Sequence, residues 1–116
     1  MGLSTHVLDT AAGKPAAGMR VDFSELEGDR WKLVKTVRTN ADGRTDEPLL
    51  AAEAMRTGQF KLEFHVAAYF RECGERVPEP PFLDVVPLRF GIADREAHYH
   101  VPLLCTAWSY STYRGS

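Results

Sequence analysis

A chain of 116 residues, 44 % of them hydrophobic, has the size and apolar content of one domain, 1–116, with its own core and no room for a second. A formal net charge of −2 excludes a broad attraction for nucleic acid or anionic membrane, and no run approaches the roughly 20 apolar residues of a membrane-spanning helix. The two cysteines, Cys73 and Cys105, form no CxxC, which predicts reduced thiols that serve as small buried apolar residues.

The first residues pass directly into an alternating segment with neither the charged start nor the apolar block of a secretory signal, which predicts a protein that stays in the cytoplasm. Short period-two runs recur from there on, separated by turn-forming stretches such as "AAGKPAAG" (11–18), "NADG" (40–43) and "GIADREA" (91–97). Strands are predicted near 3–9, 19–27, 31–39, 59–66, 84–91, 98–106 and 108–115, with a short one near 44–46. "GD" between the second and third runs predicts a hairpin. "LLAAEAM" (49–55) follows Pro48 and is too short for a stable helix, so it reads as a loop with one turn. "VAAYFRECG" (66–74) reads as a helix ended by Gly74. Seven or eight strands with one brief helix predict an all-β sandwich. An edge strand near the end of such a sheet is open to pairing with a second copy.

Alternation also sorts the candidate functional residues. In "AHYHVPLLC", Tyr99, Val101, Leu103 and Cys105 form the core side, which puts His98, His100, Pro102 and Leu104 on the outer face. Two histidines there are compatible with a solvated pair, a subunit contact or two of a metal's ligands, but no third ligand at a suitable spacing is evident. In "LSTHVLD", Ser4, His6 and Leu8 share one face against Leu3, Thr5, Val7 and Asp9, and His6 is compatible with a buried structural histidine as well as with a site. Arg44 follows the "NADG" turn; it reads either as a solvated charge or as a planar cation gripping an oxygen-rich or anionic substrate, and Arg114 poses the same choice. There is no nucleophile elbow, phosphate-binding glycine loop or HExxH pair, and Cys105 faces the core, which argues against a Cys–His nucleophile.

"LSTHVLDTAAGKPAAG", "TNADGR", "HYHVPLL" and "YSTYRGS" together resemble the transthyretin-related 5-hydroxyisourate hydrolases over nearly the whole chain, in the same order. The YRGS segment is the most specific of these, since it separates the hydrolases from transthyretin, the hormone carrier of the same fold. The resemblance implies a transthyretin-like β-sandwich of two four-stranded sheets, a homotetramer built as a dimer of dimers around a central channel, and a small-molecule substrate. It implies hydrolysis of 5-hydroxyisourate to 2-oxo-4-hydroxy-4-carboxy-5-ureidoimidazoline, in urate breakdown, with no cofactor and no metal. It also implies a site of His6, Arg44 and His100, with Tyr113, Arg114, Gly115 and Ser116 binding substrate and His98 in a supporting or interface position. Within that scheme His100, helped by His6, is expected to be the general base, Arg44 to hold substrate, and Tyr113 to share the histidines' face. A non-catalytic carrier of small aromatic ligands is the competing expectation. "CTAWSYS" departs from the serine–proline–aromatic–glycine run common in the family; Trp108 keeps the aromatic, which predicts a changed loop around an intact site.

Overall fold

The computed structural model describes residues 2–115 and contains two facing sheets with one short helix. The first sheet holds β1 (Gly2–Asp9), β2 (Lys14–Pro15), β5 (Leu50–Ala51), β8 (Tyr99–Cys105) and β9 (Tyr110–Ser111); the second holds β3 (Arg20–Glu27), β4 (Arg30–Arg38), β6 (Gly58–His65) and β7 (Val85–Ile92). Helix α1 (Val66–Glu72) follows β6 directly. The sandwich is as the sequence predicts, but with five strands in one sheet and four in the other, because β2 and β5 are two-residue strands too short to show any alternation.

The second sheet runs β4-β3-β6-β7, antiparallel throughout. Its β3–β4 hairpin turns on Gly28 and Asp29, as the "GD" pair predicts, with a bulge between Phe23 and Ser24. In the first sheet the order is β2-β1-β8-β9, and β1 and β8 lie parallel, with Leu3 opposite Tyr99 and Asp9 opposite Cys105. Three short pieces share the other edge of β1: β2 pairs with Leu8 and Asp9, Arg44 bridges to His6, and β5 pairs with Gly2 and Leu3. The strand expected near 44–46 is that single bridge.

Between the sheets lie Leu3, Val7, Val21, Phe23, Phe60, Leu62, Phe64 and Leu103, all fully buried. Removing a phenylalanine side chain of this kind from water is worth about 1.5–3 kcal/mol, which is what holds two otherwise separate sheets face to face. Helix α1 adds Val66 and Phe70 and places the Tyr69 hydroxyl 2.9 Å from buried Asp9, to which it donates. Thr39 ties the β4 exit to the β2–β3 turn, its hydroxyl donating to the Ala16 carbonyl at 2.6 Å and accepting from the Met19 amide at 2.9 Å. Thr39→Val keeps the shape and strands both buried backbone groups, so urea unfolding of the variant is expected to show a loss of about 1–3 kcal/mol.

Cys105 is buried as expected, its thiol pushed up to about 12 by burial and by Asp9. Two other expectations need correction. Cys73, expected in the core, is exposed just past α1, where a helix end faces solvent. The strand predicted over 108–115 is ordered into a ladder only at Tyr110 and Ser111. The chain does fold back along β8 in one register, with Thr106 opposite Ser109, Leu104 opposite Ser111 and His100 opposite Gly115. Between these pairs stands Pro102, which has no N–H to give its neighbour; the Thr112 hydroxyl bonds the Pro102 carbonyl at 2.6 Å instead, and the ladder lapses.

Candidate active site

The burial pattern of β1 alternates as its sequence does, with Leu3, Thr5, Val7 and Asp9 inside and Ser4, His6 and Leu8 on the outer face. β8 follows the same alternation except at Pro102, which is buried as well: Tyr99, Val101, Leu103 and Cys105 are buried and His100 is half-buried on the outer side. His6 is therefore no core histidine. Parallel pairing then sets Ser4 beside His100 and His6 beside Pro102 on one surface.

Arg44 reaches this surface from the far edge of β1. Asn40 builds the turn that delivers it: its side-chain oxygen accepts from the amides of Asp42 at 2.9 Å and Arg44 at 3.2 Å, while its backbone N–H donates to the Arg44 carbonyl at 2.7 Å. Gly43 completes the turn at a φ of +76°, and its carbonyl accepts from the Val7 amide at 2.8 Å. A Cβ at this glycine would lie 2.4 Å from the Val7 carbonyl oxygen, so the position needs both the left-handed backbone and the missing side chain. The turn also brings the Asp42 carbonyl to 2.9 Å from His6 Nε2. "NADGR" is thus one device that pins the His6 ring and bridges Arg44 to the His6 backbone, with its charge within reach of His100.

His100 is half-buried. Burial lowers its pKa from the usual histidine range, and the positive fields of Arg44, His6 and His98 push the same way. Its Nδ1 lies 2.8 Å from the Ser4 hydroxyl, and its ring centroid is 6.4 Å from that of His6. Gly115 exchanges both backbone hydrogen bonds with His100 and covers the ring edge; a Cβ there would come within 2.9 Å of His100 Cδ2. His98, just before β8, puts Nε2 at 3.4 Å from the same Ser4 hydroxyl, while its Nδ1 is buried with no hydrogen-bond partner among the described residues.

The structure thus brings together His6, Arg44, His98, His100 and Gly115. Tyr113 and Arg114 lie elsewhere in the single chain. They line a cavity of about 270 Å³ with Leu88, Phe90, Tyr99 and Val101, on the core-facing side of β8, and Arg114 sits 4.3 Å over the Tyr99 ring while donating to the His98 carbonyl. The expectation that Tyr113 shares the histidines' face assumes an unbroken strand, which Pro102 prevents. Ser116 lies outside the described residues. Ser4 is the member that motif reading missed; its place on the same face as His6 is visible in the alternation, but its contact with His100 needs the parallel register. No three His, Cys, Asp or Glu side chains among the described residues are grouped to hold a metal. The altered "CTAWSYS" run forms a tight turn in which the Thr106 hydroxyl accepts from the amides of Trp108 and Ser109, both at 3.0 Å.

An imidazole pair with a fixed cation can move a proton to and from water and hold a polar substrate's oxygen. Comparison with known proteins gives this face a context. A family model described as the HIUase/Transthyretin family matches residues 3–115. The chain is 56 % identical over 114 residues to 5-hydroxyisourate hydrolase 2 of Rhizobium meliloti, covering 98 % of this chain and 95 % of the relative. Among solved structures it is similar to (S)-allantoin synthase, with a TM-score of 0.92 at 43 % identity, covering 99 % of this chain and 43 % of that longer one. It is also similar to sea bream transthyretin in complex with thyroxine, with a TM-score of 0.86 at 28 % identity over 99 % of this chain and 95 % of the other.

Proposed function

This chain belongs to the HIUase/Transthyretin family, and from that premise we propose that it hydrolyses 5-hydroxyisourate to 2-oxo-4-hydroxy-4-carboxy-5-ureidoimidazoline at the His6–Arg44–His100 face. Relatives of about half-identical sequence carry the hydrolase name over their full length. The observation that carries the site assignment is the convergence of three side chains from three separate segments on one side of β1 and β8. The substrate is a fused-ring heterocycle rich in carbonyl oxygens, and the chemistry is attack of water on a ring carbonyl followed by cleavage of the ring C–N bond. One histidine takes the proton of the attacking water, as a group with an ordinary pKa near 6.5 does well at neutral pH. Arg44 holds the oxygen on which charge builds, its planar guanidinium staying charged throughout.

The substrate contacts assigned to Tyr113, Arg114 and Ser116 rest on the family resemblance of YRGS, and Gly115 enters through its close backbone approach to His100. The histidine face is the outer surface of its sheet, open in a single chain, and a second copy laid against it would enclose the substrate. The β9 edge, with exposed Tyr110 and Tyr113 and the exposed Phe82–Trp108 stack, supplies apolar surface for another copy. A homotetramer made of two dimers fits both surfaces, and light scattering is expected to give the mass of four chains. We place the enzyme in the cytoplasm, consistent with its unpaired cysteines.

The deciding measurement is the ultraviolet absorbance of freshly generated 5-hydroxyisourate with and without protein. Acceleration of its decay is expected; binding without turnover would point to a carrier like transthyretin. Arg44→Lys keeps the charge and loses the planar fork of donors, so kcat/KM is expected to fall at least about tenfold. An unchanged value would return Arg44 to a solvated charge.

A further inference from the structure

We propose that Ser4 is a positioning residue which fixes His100 as a hydrogen-bond donor through Nε2 and so leaves the water's proton to Nδ1 of His6. The inference rests on the hydrolase reading for its chemistry and on hydrogen-bond logic for the assignment. Its starting point is His98, whose Nδ1 is buried without a partner among the described residues. A stranded N–H there would cost more than a bare lone pair, since orphaned buried donors are the rarer and more expensive case. The proton of neutral His98 therefore sits on Nε2, which donates to the Ser4 oxygen at 3.4 Å.

Ser4 has a single O–H, and this hydrogen is then free for His100 Nδ1 at 2.8 Å. His100 Nδ1 accepts, so the ring's own proton lies on Nε2. That atom has no hydrogen-bond partner among the described residues and is left for substrate. His6 is fixed by a different neighbour: its Nε2 lies 2.9 Å from the Asp42 carbonyl, which only accepts, so Nε2 carries the proton and Nδ1 is a bare lone pair. The two rings of the site thus present opposite faces of the same chemistry, one a donor and the other a base. This reverses the order expected from the sequence, in which His100 led.

The groups that act on His100 are Arg44, His6 and His98 together with its burial, and all four disfavour a second proton on the ring. A neutral His100 keeps one N–H and does not compete for the water's proton. The reaction then balances as follows. His6 Nδ1 takes a proton from water as the O–C bond forms, and the carbonyl electron pair moves to oxygen, which accepts from His100 Nε2–H and Arg44. When that pair returns, the C–N bond breaks and its electrons stay with nitrogen, which takes the proton back from His6. A carboxyl group and an N–H are left, and both histidines regain their starting protonation.

The test combines spectra with kinetics on Ser4→Ala and Ser4→Thr. Nitrogen-15 NMR of ring-labelled protein without substrate is expected to show His100 as a single Nε2–H tautomer in the wild type and as a mixture in Ser4→Ala. Steady-state kinetics are expected to show kcat of Ser4→Ala lower by about tenfold with KM within about twofold, and recovery in Ser4→Thr, which keeps the hydroxyl and suits a strand. An Nδ1–H proton on His100 in the wild type would overturn the proposal. So would a wild-type kcat in Ser4→Ala, or a Ser4→Thr variant no better than alanine. If the protein fails to accelerate 5-hydroxyisourate decay at all, the hydrolase reading falls while the substrate-free spectra still decide the tautomer. Should Ser4→Ala fail to fold, the wild-type spectrum and the threonine variant decide it.

Discussion

His6→Ala and His100→Ala are each expected to lower kcat by about 10²- to 10⁴-fold, the range that a positioned acid or base supplies, while circular dichroism and the unfolding midpoint stay near the wild type. Neither ring belongs to the core; both stand on the outer face of their strands, where removing an imidazole leaves no apolar cavity. The two variants should differ in kind. On the proposed mechanism, losing His6 removes the base, and losing His100 removes a donor to the developing oxyanion. The double variant is expected to be far less than multiplicatively worse, because two residues working on one transition state act as a unit. Wild-type turnover in either correctly folded single variant would take that histidine out of the mechanism.

Gly43→Ala is expected to cost about 2–4 kcal/mol in chemical unfolding and to abolish most turnover together. The left-handed backbone at Gly43 alone costs a residue with a Cβ about 1–3 kcal/mol, and the added carbon would stand 2.4 Å from the Val7 carbonyl oxygen, which cannot move without disturbing β1. Relief requires the turn to back away from β1, and that withdraws Arg44 from His6 and the Asp42 carbonyl from the His6 ring. The coupled loss distinguishes this change from an ordinary destabilising one: activity measured well below the unfolding transition should remain low. A stable, fully active Gly43→Ala would show that the turn does not need to touch β1.

Period-two alternation carried most of the architecture because each strand buries one face only. The sorting of Val101 and Leu103 inward against His100 outward can be read from the letters alone, whereas in "LSTHVLD" apolar residues lie on both faces and only the fold shows that Thr5 and Val7 are inside. Pairing partners cannot be read from the letters. Nothing in "LSTHVLD" says that it lies parallel to "HYHVPLL", and without that register Ser4 is an ordinary strand serine. Two-residue strands such as Lys14–Pro15 and Leu50–Ala51 carry no period to detect. At the other end of the chain the reading ran too far: alternation through "SYSTYRG" suggested a full strand, while the decisive residue, Pro102, sits on the neighbouring strand and acts across the ladder. Arg44 was legible as a cation after a turn, but its partner was not, since the turn's purpose is contact with β1 and not the local reversal that "NADG" advertises. The family resemblance supplied the site list, and the geometry divides that list between two sides of β8.

The parallel pairing of β1 with β8 has a consequence for how the molecule comes into being. Thr5 donates to the Val101 carbonyl across 96 positions of sequence, so β1 waits for a strand synthesised long after it. Contacts of such separation are slow to form, because loop closure must precede any reward from pairing. During synthesis the apolar side of β1, with Leu3 and Val7, has no neighbour on its β8 edge, while the antiparallel hairpins of the second sheet can already assemble from nearby residues. A nascent chain released early would thus hold half a sandwich and an open strand edge suited to aggregation. Because Ser4 meets His100 only through that same closure, the proposed site forms no earlier than the pairing of β1 with β8.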